Sequence, residues 1–295
     1  MKKAVILSNH YRSFEYIASY LKDFFGKDTD FYICTWDHEY NYENQAIKEK
    51  YAFEKKQDVQ LSPLMYKPID IKKIQNFIRE FNPKDYKILT DEEFDTWAEK
   101  MPNVPKTSKY HSRQILGSFL PPKICADMIR NSGIEYDLIF KSRMDIIPIM
   151  SEGYNFDSFC ATLLNLQNHK PRTILSTSLK INSGLPWIND RFLSGHADAI
   201  LDLYDNLEYK INTLFSLKFL HKETPLLFHR LYGMLLTFTK INVRATKVIY
   251  DEIIRKDFVD MNLKLGNIED HEKALELKRK IKGNIEEKSK INFDL

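Results

Sequence analysis

Arg143 and Asp145 are the two side chains whose types and spacing most directly suggest chemistry. They fall near the end of Tyr136-Asp137-Leu138-Ile139-Phe140-Lys141-Ser142-Arg143-Met144-Asp145-Ile146-Ile147-Pro148, which opens with an apolar run suited to a buried strand. Ser142, Arg143 and Asp145 arrive where that strand should end, and Pro148 is expected to stop it. On a continuous strand, period two puts Arg143 and Asp145 on one face, about 7 Å apart. A guanidinium and a carboxylate on one rim suit a ligand carrying both phosphates and a divalent metal, Mn2+ or Mg2+. The plain alternative is an ordinary surface ion pair, and only the rest of the chain can decide between the two.

Three other polar clusters follow apolar runs or bounding glycines. They are Asn9 to Arg12, Thr35 to Asp37, and Asn189 to Gly195. In an open parallel sheet the carboxyl ends of several strands face one crevice, so one ligand would explain all four clusters. Arg12 and Arg143 would hold a diphosphate, with Asp145 on the metal that bridges it. Asp190 or Glu223 would serve as general base for an attacking hydroxyl. Arg12 lies off the apolar stripe of the first helix, in its first turn, where a cation opposes the helix dipole. It could serve an anion resting on the same amides, or simply be solvated.

The elements that must carry these residues read as an α/β chain. Ala4-Val5-Ile6-Leu7 is a first buried strand, and Tyr11, Phe14, Ile17, Leu21 and Phe25 fall at helical spacing before Gly26. Asp30 to Asp37 is a second strand, so strand, helix and strand form a βαβ unit with a parallel pair. Residues 42–56 read as a charged helix, Val59 to Leu61 as a short strand, and Ile71 to Phe81 as an amphipathic helix. From Asn82 to Ser108 three prolines interrupt a weak pattern, and a long loop or lid is expected. Helical sequence resumes from His111 to Arg130, with Pro122 opening a helix that feeds the Tyr136 to Ile147 strand. Beyond it come one short helix within 149–172, a strand at Thr173 to Ser176, and helices near Ala197 to Leu207 and Thr224 to Thr237. An edge strand is expected in Ile241 to Val248. The charged tail carries Leu277, Ile281 and Ile285 as one narrow helical stripe.

Composition narrows the function classes. The chain has 295 residues, 43% of them hydrophobic, and 44 basic against 41 acidic side chains give a net charge of +3. So balanced a charge argues against a dedicated nucleic-acid binder. Cys34, Cys125 and Cys160 lack metal or disulfide spacing, and none of the eight histidines pairs at metal-ligand spacing. There is no Walker lysine motif, GxGxxG, GxSxG or HExxH. With 9 glycines in all, phosphates would have to be held mainly by side chains and helix amides. The amino-terminal apolar run is too short for a signal peptide, and no stretch reaches the roughly 18 apolar residues of a membrane span. A cytoplasmic protein is expected, with no transmembrane segment and with peripheral membrane contact left open.

In these pieces the chain resembles glycosyltransferases of the nucleotide-diphospho-sugar, GT-A-like superfamily, including WavE-like lipopolysaccharide-synthesis and related viral and bacterial proteins. Ile6-Leu7-Ser8-Asn9-His10-Tyr11-Arg12 is similar to their opening strand, and Phe31 to Asp37 to their second. Gln114 lies in a stretch resembling the helix before their central strand. Tyr136-Asp137 followed by Arg143-Met144-Asp145 resembles their signature, with Arg-x-Asp where better-known members have Asp-x-Asp. Asn189-Asp190-Arg191-Phe192 and His221-Lys222-Glu223 are similar to downstream pieces. Many relatives carry a glycine at the tip of the first strand, where this chain has Ser8-Asn9.

The resemblance implies a GT-A-like, Rossmann-type, mostly parallel central sheet flanked by helices, with a helical C-terminal extension. The expected division is 1–250 for the catalytic domain and 251–295 for the extension. It implies a glycosyltransferase moving a sugar from a nucleotide-sugar donor to a glycan or other surface-polysaccharide acceptor. Asn9, Arg12, Thr35, Asp37, Gln114 and Arg143 would bind the donor, Asp145 the metal, and Asp190 or Glu223 would act as base. The rival expectations are a sugar nucleotidyltransferase and a non-catalytic glycan- or partner-binding module.

Overall fold

A computed structural model describes residues 1–11, 14–40, 66–104, 116–151, 153–170, 172–177, 179–182, 185–188, 191–217, 228–246 and 248–253. β1 (Lys3–Ser8) is buried along its whole length, as its unbroken apolar run requires. The helix Phe14–Phe25 follows and ends before Gly26, whose φ of +84° is the left-handed conformation that glycine adopts without strain. β2 (Thr29–Trp36) then pairs with β1 in parallel, Lys3 opposite Thr29 through Ser8 opposite Cys34, so the expected βαβ unit is present. β3 (His38–Tyr40) and β4 (Tyr66–Pro68) form a short antiparallel pair. The helix Ile71–Phe81 matches its amphipathic pattern, capped by the Asp70 carboxylate, which accepts from the Lys73 amide.

The loop expected between Asn82 and Ser108 is not what residues 82–104 form. Asp85–Leu89 is β5, paired in parallel with β2, and Asp91–Ala98 is a helix. The strand gives little sequence signal because it is a partly exposed edge, with only Leu89 buried. The helix is short, but it opens on a capping box. The Thr90 hydroxyl accepts from the Glu93 amide, and the Glu93 carboxylate accepts from the Thr90 amide.

The helix Leu120–Asn131 takes both prolines in its first turn and leads into β6 (Leu138–Arg143). β6 does not run on to Ile147 as expected. Met144 and Asp145 make a turn, and Ile146–Met150 is a separate strand, β7. Pro148 does not stop this strand: it sits inside β7, opposite Asp251. The helix Phe156–His169 precedes β8 (Thr173–Ser176), the hairpin of β9 (Leu179–Asn182) and β10 (Leu185–Ile188), and β11 (Phe192–His196). Two helices, Ala197–Tyr204 and Leu207–Ser216, take the place of the single one expected, divided at Asn206 with φ +46°. The helix Phe228–Phe238, β12 (Asn242–Ala245) and β13 (Ile249–Ile253) complete the described elements, and β13 pairs antiparallel with β7. The readings at 42–56, at Val59 to Leu61 and in the charged tail lie outside the described residues.

Seven strands form the central sheet in the order β12-β8-β11-β6-β1-β2-β5. β1, β2, β5 and β6 are mutually parallel, β11 is antiparallel to both of its neighbours, and β12 returns parallel to β8. This is the mixed α/β class with a mostly parallel sheet, consistent with the GT-A-like expectation. One face packs Ala4, Ile6, Cys34 and Ile139 against the helices Leu120–Asn131, Ala197–Tyr204 and Phe228–Phe238. The other packs Val5, Leu7, Ile33 and Phe140 against Phe14–Phe25, Ile71–Phe81 and Phe156–His169. From β1 the chain builds outward through β2 to β5, then crosses back to lay β6 on the other side of β1. That reversal makes the carboxyl ends of β1 and β6 a topological switch point, where open α/β sheets gather ligands.

Candidate functional site

Arg143 is the last residue of β6, at this switch point and opposite Ser8 of β1. The turn that follows is tied down on both sides. The Met144 amide donates to the Ser8 carbonyl at 3.2 Å, and the Arg143 amide donates to the Arg191 carbonyl at 3.3 Å. Met144 is fully buried in the core with Leu7 and Phe140, which directs the chain inward and swings Asp145 back toward Arg143. Arg143 Nε donates to Asp145 Oδ1 at 2.8 Å and Nη2 donates to Oδ2 at 2.6 Å, a fork-to-fork pair. The expected picture of two side chains spaced along one strand face is therefore replaced by a closed clasp. It is no ordinary surface pair: the Asp145 side chain is 2% exposed and that of Arg143 17%.

The alternation of β1 and β6 assigns the neighbours. Ala4, Ile6 and Ser8 share a face with Ile139, Lys141 and Arg143, since Ala4, Ile6 and Ile139 belong to one core. Ser8 is fully buried and its hydroxyl has no hydrogen-bond partner among the described residues. Lys141 is fully buried two residues before Arg143, and Arg191 stands where β11 begins, joined to Arg143 through its carbonyl. Neither Lys141 nor Arg191 stands out by motif or period. A lysine inside the apolar run Leu138 to Phe140 and its continuation was the available signal, since an ammonium is costly to bury without purpose.

The tips of β1 and β2 form a second polar group. Asn9 has φ +89°, so it supplies at the strand tip the backbone conformation that a glycine would adopt freely. The His10 Nδ1 donates to the His38 carbonyl at 3.1 Å, and the rings of His10, Trp36 and His38 lie 5.5–6.2 Å apart. His38 Nδ1 is 2.8 Å from Asp37 Oδ1, and the Asp37 amide donates to the Leu89 carbonyl. The structure thus brings Asn9 and Asp37 to the crest that carries Arg143. Thr35 is fully buried and shares the face of Phe31 and Ile33, opposite that of Arg143. Arg12, Gln114, Asp190 and Glu223 lie outside the described residues.

The crest is suited to an anion, with Arg143 and Arg191 at adjoining strand ends, Lys141 buried two residues behind Arg143, and beside them the Ser8 hydroxyl, which has no partner among the described residues. The donor set around Asp145 fits a guanidinium better than a dication. Both carboxylate oxygens already face one cation, and no three His, Cys, Asp or Glu side chains among the described residues are grouped to hold a metal.

No protein-family model matches the sequence, and no curated protein matches it. Among solved structures, the chain is similar to a protein from Desulfovibrio desulfuricans G20 whose assignment as a nucleotide-diphospho-sugar transferase is provisional. The similarity covers 83% of this chain and 80% of that one, at 9% identity and a TM-score of 0.36. The α/β class of this chain is defined by its own sheet order and strand directions. No helix among the described residues is long and apolar enough to cross a membrane.

Proposed function

We propose that this protein is a glycosyltransferase that moves a sugar from a nucleotide-sugar donor to a glycan or other surface-polysaccharide acceptor. The observation that carries the reading is the Arg143–Asp145 clasp at the carboxyl end of β6, beside the end of β1. A strand-end guanidinium at a switch point is where the diphosphate of a nucleotide sugar can be held. The resemblance of the Tyr136 to Asp145 stretch to the superfamily's signature supports the same reading.

In such a transfer the bond from the sugar's anomeric carbon to the diphosphate oxygen breaks, and the leaving nucleoside diphosphate keeps the electron pair. The acceptor hydroxyl oxygen forms the new bond, and its proton passes to a carboxylate base, for which the sequence offers Asp190 and Glu223. The chain's work is then positioning and stabilising charge on the leaving group. Arg143 is the group assigned to that charge.

One rival has an observation in its favour. A buried, bidentate ion pair is also what a purely structural clasp in a non-catalytic binding module looks like. A thermal-shift panel of UDP, GDP, CMP and TDP separates the two. A ligand bound only by the native state, at a hundred times its dissociation constant, stabilises by about 2.7 kcal/mol. The transferase reading expects a rise in melting temperature with one nucleotide over the others. Identical melting curves with all four at millimolar ligand would favour the module.

A further inference from the structure

Asp145 occupies the position where a metal-binding acid is expected, and its surroundings are those of a salt bridge. Oδ1 and Oδ2 are each held by a different nitrogen of the same guanidinium, at 2.8 and 2.6 Å. Mg2+ or Mn2+ would need an oxygen at roughly 2.0–2.2 Å and a nearly octahedral set of further oxygens. An ion on either oxygen of Asp145 would sit against a fixed positive charge, and the 2% exposure of the side chain leaves little room for the ion's waters. Arg143 already stands as the cation that faces both oxygens of Asp145.

We propose that the site holds a nucleoside diphosphate without a metal, with Arg143 as the phosphate contact and Asp145 as the residue that positions it. This rests on the nucleotide-sugar reading above. The grip through Nε and Nη2 uses one edge of the guanidinium and turns the Nη1 edge away from Asp145. A planar guanidinium held along its Nε–Nη2 edge by a buried carboxylate has its plane fixed, which is the preorganisation that recognition of a phosphate needs. Independently of the clasp, the fully buried Ser8 hydroxyl faces the same side of the sheet as Arg143 and lacks a partner among the described residues. A phosphate oxygen at this crest would satisfy it. Arg191, fixed beside Arg143 by the backbone bond between them, adds a second cation at the same strand ends.

The test is calorimetric titration of the full chain with UDP, GDP, CDP, ADP and TDP, each in excess EDTA and in excess Mn2+. The expected result is binding of one nucleotide in EDTA, with Mn2+ changing its affinity little. Arg143→Met weakens that binding by about tenfold or more, through loss of a charge-assisted contact. Asp145→Asn also weakens it, and the double variant binds no worse than Arg143→Met alone, because Asp145 acts only through Arg143. Should Arg143→Met fail to fold, Arg143→Lys carries the test: it keeps the charge, loses the fork and is expected to bind more weakly. Binding that appears only with Mn2+, or an Asp145→Asn loss that adds fully to that of Arg143→Met, overturns the proposal and leaves the nucleotide reading standing. An absence of binding in both buffers removes the nucleotide reading itself.

Discussion

Arg143 and Asp145 form a buried pair that bears on stability and on the function proposed for this crest, and the two effects can be separated. Removing one partner of a fully buried pair costs about 3–5 kcal/mol, because a buried charge is left alone. Arg143 keeps 17% of its side chain exposed and can turn toward water. Asn at position 145 also retains an acceptor, so Asp145→Asn should cost less, about 1–3 kcal/mol. The variant is expected to stay folded with a lowered melting temperature and to lose turnover with a nucleotide-sugar donor. Circular dichroism together with a sugar-transfer assay checks both halves. Turnover like that of the wild type in a folded Asp145→Asn protein would remove Asp145 from the site. The sequence made these two residues legible as types, but not their geometry. Leu138 to Phe140 and Ile146-Ile147 both read as strand, and the turn between them depends on tertiary contacts, the burial of Met144 and its amide's bond to Ser8.

At the scale of elements, legibility followed how much of each element is buried on a regular period. Ile71–Phe81 buries Ile74, Ile78 and Phe81 on one stripe and was plain from spacing alone. β5 offers no such contrast, because most of its residues are half-exposed at the sheet edge. The helix after it stands where a loop was expected, although Thr90 and Glu93 form an end signal that matters more than periodicity in eight residues. Burial pushes the Glu93 carboxyl up, yet hydrogen bonds from Lys87, from the Thr90 amide and, most weakly, from the Thr90 hydroxyl outweigh it and hold the group below its ordinary value. A depressed carboxyl pKa gives stability that is present above the ordinary value and lost as pH falls through the folded one. Thr90→Ala removes the hydroxyl cap and should cost about 1 kcal/mol near neutrality, with a small part of that difference vanishing in acid as Glu93 protonates. Denaturant titrations of both proteins at neutral and acid pH read this directly, and a difference that grows in acid would show the box to be misassigned.

For the whole molecule, the sheet separates two cores, and the one bearing Phe14–Phe25 and Phe156–His169 contains groups whose neutral form burial favours. Tyr20 donates its hydroxyl to the Pro148 carbonyl at 2.6 Å, fastening the first helix to β7, and burial pushes its phenol from 10.0 to about 12. Cys160 lies in the same core, where burial pushes its thiol from 9.0 to about 11. Tyr136 is raised too, by burial and by its hydrogen bonds to Asp30 and Tyr32, and Cys125 by burial beside Cys34. At alkaline pH the unfolded chain releases protons that the native state still holds. It then binds fewer protons than the native state, and stability falls as pH rises. For Cys160 the fall runs between its ordinary 9.0 and about 11, and for Tyr20 between 10.0 and about 12. Tyr20→Phe isolates the second part. Losing the bond to Pro148 should lower stability near neutrality by about 1 kcal/mol, and the variant should then lose less than the wild type on going to strongly alkaline buffer. The two stability curves should converge above the ordinary tyrosine value. Curves that stay parallel across that range would mean that Tyr20 ionises in the native protein as freely as in the unfolded chain, and that its burial against β7 does not hold in solution.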